Sequence, residues 1–238
     1  MAIPPRSPAS PRVTANDLAL FMVSSETARL GIIRRAKNPQ APPIIRYKDV
    51  RPVVGAFLAD DNRRIQALID AENVFQQRAD DGAESALRRD DARNCIEVLR
   101  GVQGMSNQLA PFTFCAAPAS QPKLSLSGVE ISVRADLLVK MPIRGQEHAG
   151  AAIFRLTQSE AGSDTAISKR REMGLYVATL VRLHVDQNLH PSLPVSNRLC
   201  MSIDVQHGEC FQAPDSNTRR TNDLTSACQF IAGAWATA

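Results

Sequence analysis

GVEISVRADLLVKM, residues 128–141, alternates apolar and polar side chains for a dozen residues and carries one aspartate, Asp136, in the middle of its polar face. Successive side chains of an extended chain point to opposite sides, so such alternation marks a strand with one buried face. Val129, Ile131, Val133, Leu137 and Val139 fall on the apolar side, and Glu130, Ser132, Arg134, Asp136 and Lys140 on the other. The functional reading turns on whether Asp136 holds a metal or is only a solvated carboxylate. From the strand alone, the expectation is an ion pair with Arg134, two residues away, or with Arg155 across the ladder. A guanidinium that close works against metal binding.

Working outward, KLSLSGVEISV and RADLLVKM read as strands with a bend at Gly128, IRGQEHAG as a turn or short loop, and AAIFRLTQ as a third strand. The helix SKRREMGLYVATLVRLHVDQNL sets Met173, Tyr176, Leu180, Leu183 and His184 close to one stripe. RLCMSIDV and ECFQA form a hairpin around His207 and Gly208, and a last helix spans about 222–235. On the N-terminal side, residues 1–12 hold four prolines and read as a disordered lead-in. Residues 13–104 read as a helical region, in which Thr14 caps ANDLALFM and Ser24 or Ser25 caps ETARLGIIRRAKN. Residues 105–122, with Pro111, Pro118 and Pro122, read as a connecting loop, and residues 123–238 as the α/β core. The predicted class is α/β (α+β), a helical N-terminal region followed by a small mixed sheet flanked by helices.

The bulk numbers narrow the function only mildly. At 238 residues with 44% hydrophobic and 22% charged residues, the chain can close a core. Twenty-eight Lys and Arg against 24 Asp and Glu, with a pI near 9.0, permit nucleic-acid contact without demanding it. No apolar run approaches a membrane span or a signal peptide, and five scattered cysteines without a CxxC pair suit reduced thiols. A cytoplasmic protein without a membrane partner is the expectation. The four histidines have no metal-like spacing, and His184 reads as a satisfied core imidazole. GxSxG, Walker and GxGxxG motifs are absent. Aromatics at 5% supply few stacking platforms.

The order of elements, with an aspartate late in the second strand and a long helix after the third, resembles the restriction-endonuclease-like PD-(D/E)xK nucleases. In that family an acid ends one strand, an acid-x-lysine triplet lies on the next, and a preceding helix often adds a glutamate. Those carboxylates hold Mg²⁺, the one cofactor the resemblance implies here, because hard divalent cations take oxygen ligands. The resemblance places Asp136 at the first acid, after Ala135 instead of proline, as metal ligand and catalytic residue. It places Glu97, or else Glu72, at the helical glutamate. The triplet is missing, since Ala151, Ala152 and Ile153 stand in its place and Arg155 is the only cation on that strand. Phosphate contacts then fall to Arg134, Arg155 and the basic helix start Lys169, Arg170 and Arg171. That last triplet also reads as a solvated cluster eased by Asp164 and Glu172.

Three expectations follow. The first is a nucleic-acid- or partner-binding protein on a nuclease-like fold with a degenerate, inactive hydrolytic site, Asp136 and Glu97 being its vestigial acids. The second is a Mg²⁺-dependent nuclease whose missing acid comes from Glu130, Glu97 or Glu160. The third is a non-enzymatic, oligomeric interaction protein.

Overall fold

In the computed structural model, which describes residues 10–157 and 162–238, the alternating stretch is two strands in two different sheets. Most of the proline-rich lead-in, and Glu160, lie outside the described residues. The N-terminal part holds β1 (Arg12–Thr14), α1 (Ala15–Met22), α2 (Glu26–Lys37), α3 (Val50–Ala59), α4 (Gln66–Asp80), α5 (Ala86–Gly104) and α6 (Ser106–Leu109). Then come β2 (Thr113–Ala116), β3 (Leu124–Leu126), β4 (Val129–Ser132), β5 (Leu137–Ile143) and β6 (Gln146–Arg155). The chain closes with α7 (Asp164–His184), β7 (Met201–Asp204), β8 (Glu209–Gln212) and α8 (Thr218–Ala234). The fold is mixed α/β. Among the described residues no helix is long and apolar enough to cross a membrane.

The expected single sheet is therefore corrected to two. The smaller has the order β1-β4-β3, and the larger runs β2-β5-β6-β7-β8. In the larger sheet every pair is antiparallel except β6 and β7, which α7 connects as a parallel crossover. The apolar period carries straight through the change of sheet. Val129, Ile131, Val133 and Ala135 are buried in one core, and Leu137 and Val139 in the other. Period two reports which side of the chain is buried, not against what. Between the two strands, Gln121 stands in for a missing neighbour: its Oε1 accepts from the Ala135 N–H and its Nε2 donates to the Ala135 carbonyl, both at 2.9 Å.

The larger sheet is covered on both faces. Ala152 and Phe154 of β6 face a core shared with α3, α4 and α5, while Ala151 and Ile153 face one shared with α1, α7, α8 and the small sheet. Burial on both sides explains why AAIF is continuously apolar. On the second face α7 lies close to β8, where a Cβ on Gly174 would come within 2.2 Å of the Phe211 ring.

The remaining differences are local. The loop expected at 105–122 contains α6 and β2, an edge strand of the larger sheet. Gly128 is the second residue of a two-residue turn with Ser127 joining β3 to β4, both in the left-handed region (φ 79 and 48). Arg144 and Gly145 make the same kind of turn between β5 and β6, so most of IRGQEHAG is strand. α5, β2, β5, β6, α7 and β7 follow in that order along the chain, but α6 intervenes before β2, and β3 and β4 of the smaller sheet before β5. Asp136, expected late in a strand, lies just ahead of β5.

Candidate functional site

Strand direction gathers charged residues on one rim of the larger sheet. β2 ends there and β5 begins (Ala116 opposite Leu137), β6 and β7 end side by side (Arg155 opposite Asp204), and β8 begins with Glu209. Three carboxylates stand on this rim, and each faces a guanidinium. Arg51 Nη1 donates to both oxygens of Asp136 at 2.6 Å, Arg155 lies 3.3 Å from Asp204, and Arg170 Nε donates to Glu209 at 3.0 Å. Charge-assisted contacts of this kind fix both partners.

Asp136 is consumed by this arrangement. Its side chain is 10% exposed, and its Oδ2 also accepts the Phe154 N–H at 2.7 Å, while its own N–H donates to the Ala152 carbonyl. The expected partners Arg134 and Arg155 are thus replaced by Arg51, which comes from α3 and also donates to the Phe154 carbonyl. Arg51 sits in the first turn of α3 because the chain ahead of it is pinned. The Tyr47 N–H donates to buried Asp91 at 2.9 Å and the Arg51 N–H to the Tyr47 carbonyl. Tyr47 holds φ 59, a conformation costing a bulky residue about 1–3 kcal/mol.

Asp204 is 1% exposed and bridges two side chains, since its Oδ1 also lies 2.8 Å from His207 Nδ1. Burial pulls the Arg155 pKa below its ordinary value and Asp204 opposes that. The guanidinium remains charged at neutral pH.

Among the described residues two cavities open beside this rim, and Asn16 of α1 lines both. The larger, of about 930 Å³, lies between α3, the loop after β2 and the start of β5. Its wall carries Arg46, Lys48, Arg51 and Arg134 against one carboxylate, Asp136. Arg46 pairs with Asp90, whereas Lys48 and Arg134 are exposed and have no ion-pair partner among the described residues. The smaller cavity, of about 540 Å³, is lined by Arg155, Lys169 and Arg170, with Asp17 as its acid, which accepts from the Thr14 hydroxyl.

The residues singled out in the sequence therefore separate. Arg134 lines the first cavity and Arg155, Lys169 and Arg170 the second, but Arg155 and Arg170 are committed to carboxylates. Arg171 is exposed and lines neither. Glu97 also lines neither cavity; it is 59% exposed, 3.5 Å from Arg100. Glu72 hydrogen-bonds to the same arginine, and Glu130 pairs with Lys123 on the small sheet. Among the described residues no three of His, Cys, Asp and Glu gather into a set that could hold a metal ion. These side chains do not fit Mg²⁺: each rim carboxylate already faces a cation, and a dication would have to enter beside it.

Two contributors escape a reading of the sequence, Arg51 and Gln121, whereas His184 is the satisfied core imidazole that was expected. His184 is fully buried, and its Nδ1 accepts from Asn188 at 2.9 Å. Gln121 Oε1 is an acceptor, so His184 Nε2–H donates to it at 3.1 Å, and the imidazole braces the chain just before Asp136. Compared with known proteins, the chain matches no family model and no curated protein sequence, so the reading of the rim rests on its own residues.

Proposed function

We propose that the protein binds nucleic acid along this rim and does not hydrolyse it. One observation carries the reading. The carboxylates Asp136, Asp204 and Glu209 are all committed to guanidinium groups, while Lys48, Arg134 and Lys169 on the cavity walls have no acidic partner among the described residues. Uncompensated cations beside a cavity favour an anion, and a polyanion gains by releasing its counterions. Kinship with the restriction-endonuclease-like nucleases is supported by the order of α5, β2, β5, β6, α7 and β7, interrupted by α6, β3 and β4, and by Asp136 just before β5. The adjoining stretch of β6, residues 151–154, supplies no acid. On this reading Arg51 supplies the positive charge that a metal would bring, but as a fixed anchor with no water to activate.

The test is salt-dependent binding of fluorescent oligonucleotides. Removing a cation that neutralises one phosphate reduces the slope of log K against log salt by about 0.7 for single strands and about 0.9 for duplex. Lys48→Ala and Arg134→Ala should each weaken binding and flatten that slope. Absence of oligonucleotide binding at about 50 mM salt, or variants indistinguishable from wild type, would overturn the reading.

A further inference from the structure

We infer that the larger cavity takes one unpaired base of a single-stranded nucleic acid, its phosphate resting on the cations of the wall. The inference rests on the nucleic-acid reading above and adds what enters the cavity.

The wall has two chemistries. Lys48, Arg51 and Arg134 supply positive charge, and Arg51 keeps its Nε–H and one Nη2–H without a partner after its bonds to Asp136 and Phe154. The rest is mostly apolar and small: Gly55, Ala56 and Ala59 on α3, with Ala117 and Ala119 on the loop after β2. At the mouth stands Ile45, 66% exposed. A simple phosphate would leave most of a cavity of about 930 Å³ unfilled. That volume is the size of an organic ligand site, about 300–1,000 Å³.

Gly55 is informative. It lies inside α3, it does not need a left-handed backbone, and a Cβ built on it meets no atom within 4 Å. Packing within the protein therefore does not require glycine here, although alanine is the better helix former. What glycine keeps open is the cavity beside the helix backbone. A flat, largely apolar group carrying an anion is the ligand class that satisfies both halves of the wall, and an unpaired nucleotide is such a group. In a duplex the base faces are stacked and its pairing edge is occupied, so only phosphates could reach the rim.

The experiment compares four probes by fluorescence anisotropy with the intact chain at low salt: a short oligodeoxythymidylate, an abasic strand with the same phosphates, a hairpin duplex and polyglutamate. The expected result is binding of the thymidylate at least tenfold tighter than of the abasic strand or the duplex, and negligible competition by polyglutamate. Gly55→Leu, which fills the cavity, should weaken the thymidylate at least tenfold and leave the abasic strand unchanged, with no drop in Tm. Ile45→Ser, at an exposed site, should weaken the thymidylate severalfold and carries the test if Gly55→Leu does not fold. The inference is overturned if the abasic strand or duplex binds as tightly as the thymidylate, or if polyglutamate displaces it equally well. A folded Gly55→Leu that binds as wild type does the same. In those cases salt-dependent binding still supports the rim as a nucleic-acid surface; if no nucleic acid binds at all, both readings fall.

Discussion

Replacing Asp136 with alanine should destabilise the protein, because its carboxylate is a structural tie. Two losses add. Arg51 loses a charge-assisted partner, worth about 1–1.5 kcal/mol after allowance for its side chain being 41% exposed. The Phe154 N–H, which donates to Asp136 at 2.7 Å, is left without its acceptor, at about 1–3 kcal/mol. The sum is about 3 kcal/mol. For a chain of this size each kcal/mol moves Tm by about 2–4 °C, so the melting temperature should fall by about 6–12 °C. Thermal unfolding followed by circular dichroism measures it directly, with Glu97→Ala as a control expected within about 2 °C of wild type. An Asp136→Ala protein that melts at or above wild type would refute the reasoning. That is how a carboxylate held for function, at a cost to stability, behaves when it is removed.

Two further outcomes follow from burial. Burial holds the His184 imidazole below its ordinary value of 6.5, so the unfolded chain takes up the proton first as pH falls. Its contribution is complete above that value and lost as pH drops towards the folded one. Urea midpoints between pH 7 and pH 5 should therefore fall more steeply for wild type than for His184→Gln, and equal slopes would count against this. Burial also pushes the thiols of Cys95, Cys200, Cys210 and Cys228 up to about 12, although Cys210 on β8, like Cys115 on β2, is only half-buried. Iodoacetamide should thus label Cys115 first in the native protein and the fully buried Cys95, Cys200 and Cys228 only on unfolding; rapid native labelling of any of those three would contradict the packing.

What the sequence disclosed was local. Thr14 caps α1 as expected, its hydroxyl accepting the Asp17 N–H at 3.0 Å. On α7 only Leu180 and His184 of the expected stripe are buried, Met173, Tyr176 and Leu183 being partly so, because the buried face centres on Gly174, Val177, Ala178 and Val181. The hairpin expected at His207 and Gly208 forms between β7 and β8. The four residues of β2 were hidden among prolines, too short for a period of two to declare itself. The switch of sheets at residues 133–136 was hidden for the opposite reason, since the alternation continues unbroken while the packing partner changes. The site was less legible than the fold. Asp136 meets Arg51 across 85 residues, and Gln121 meets Ala135 and His184 through side chains whose own segments carry no motif. A periodic pattern states which face of an element is buried; it does not say which distant charge comes to lie against it.

The most direct measurement of the central claim is incubation of plasmid, single-stranded DNA and RNA with the protein in millimolar Mg²⁺ and in EDTA, with binding and strand integrity followed together. Intact strands and salt-sensitive binding of the same affinity in both conditions are the expected result, because guanidinium groups rather than a metal meet the rim carboxylates. Mg²⁺-dependent cleavage that disappears in Asp136→Ala would contradict it.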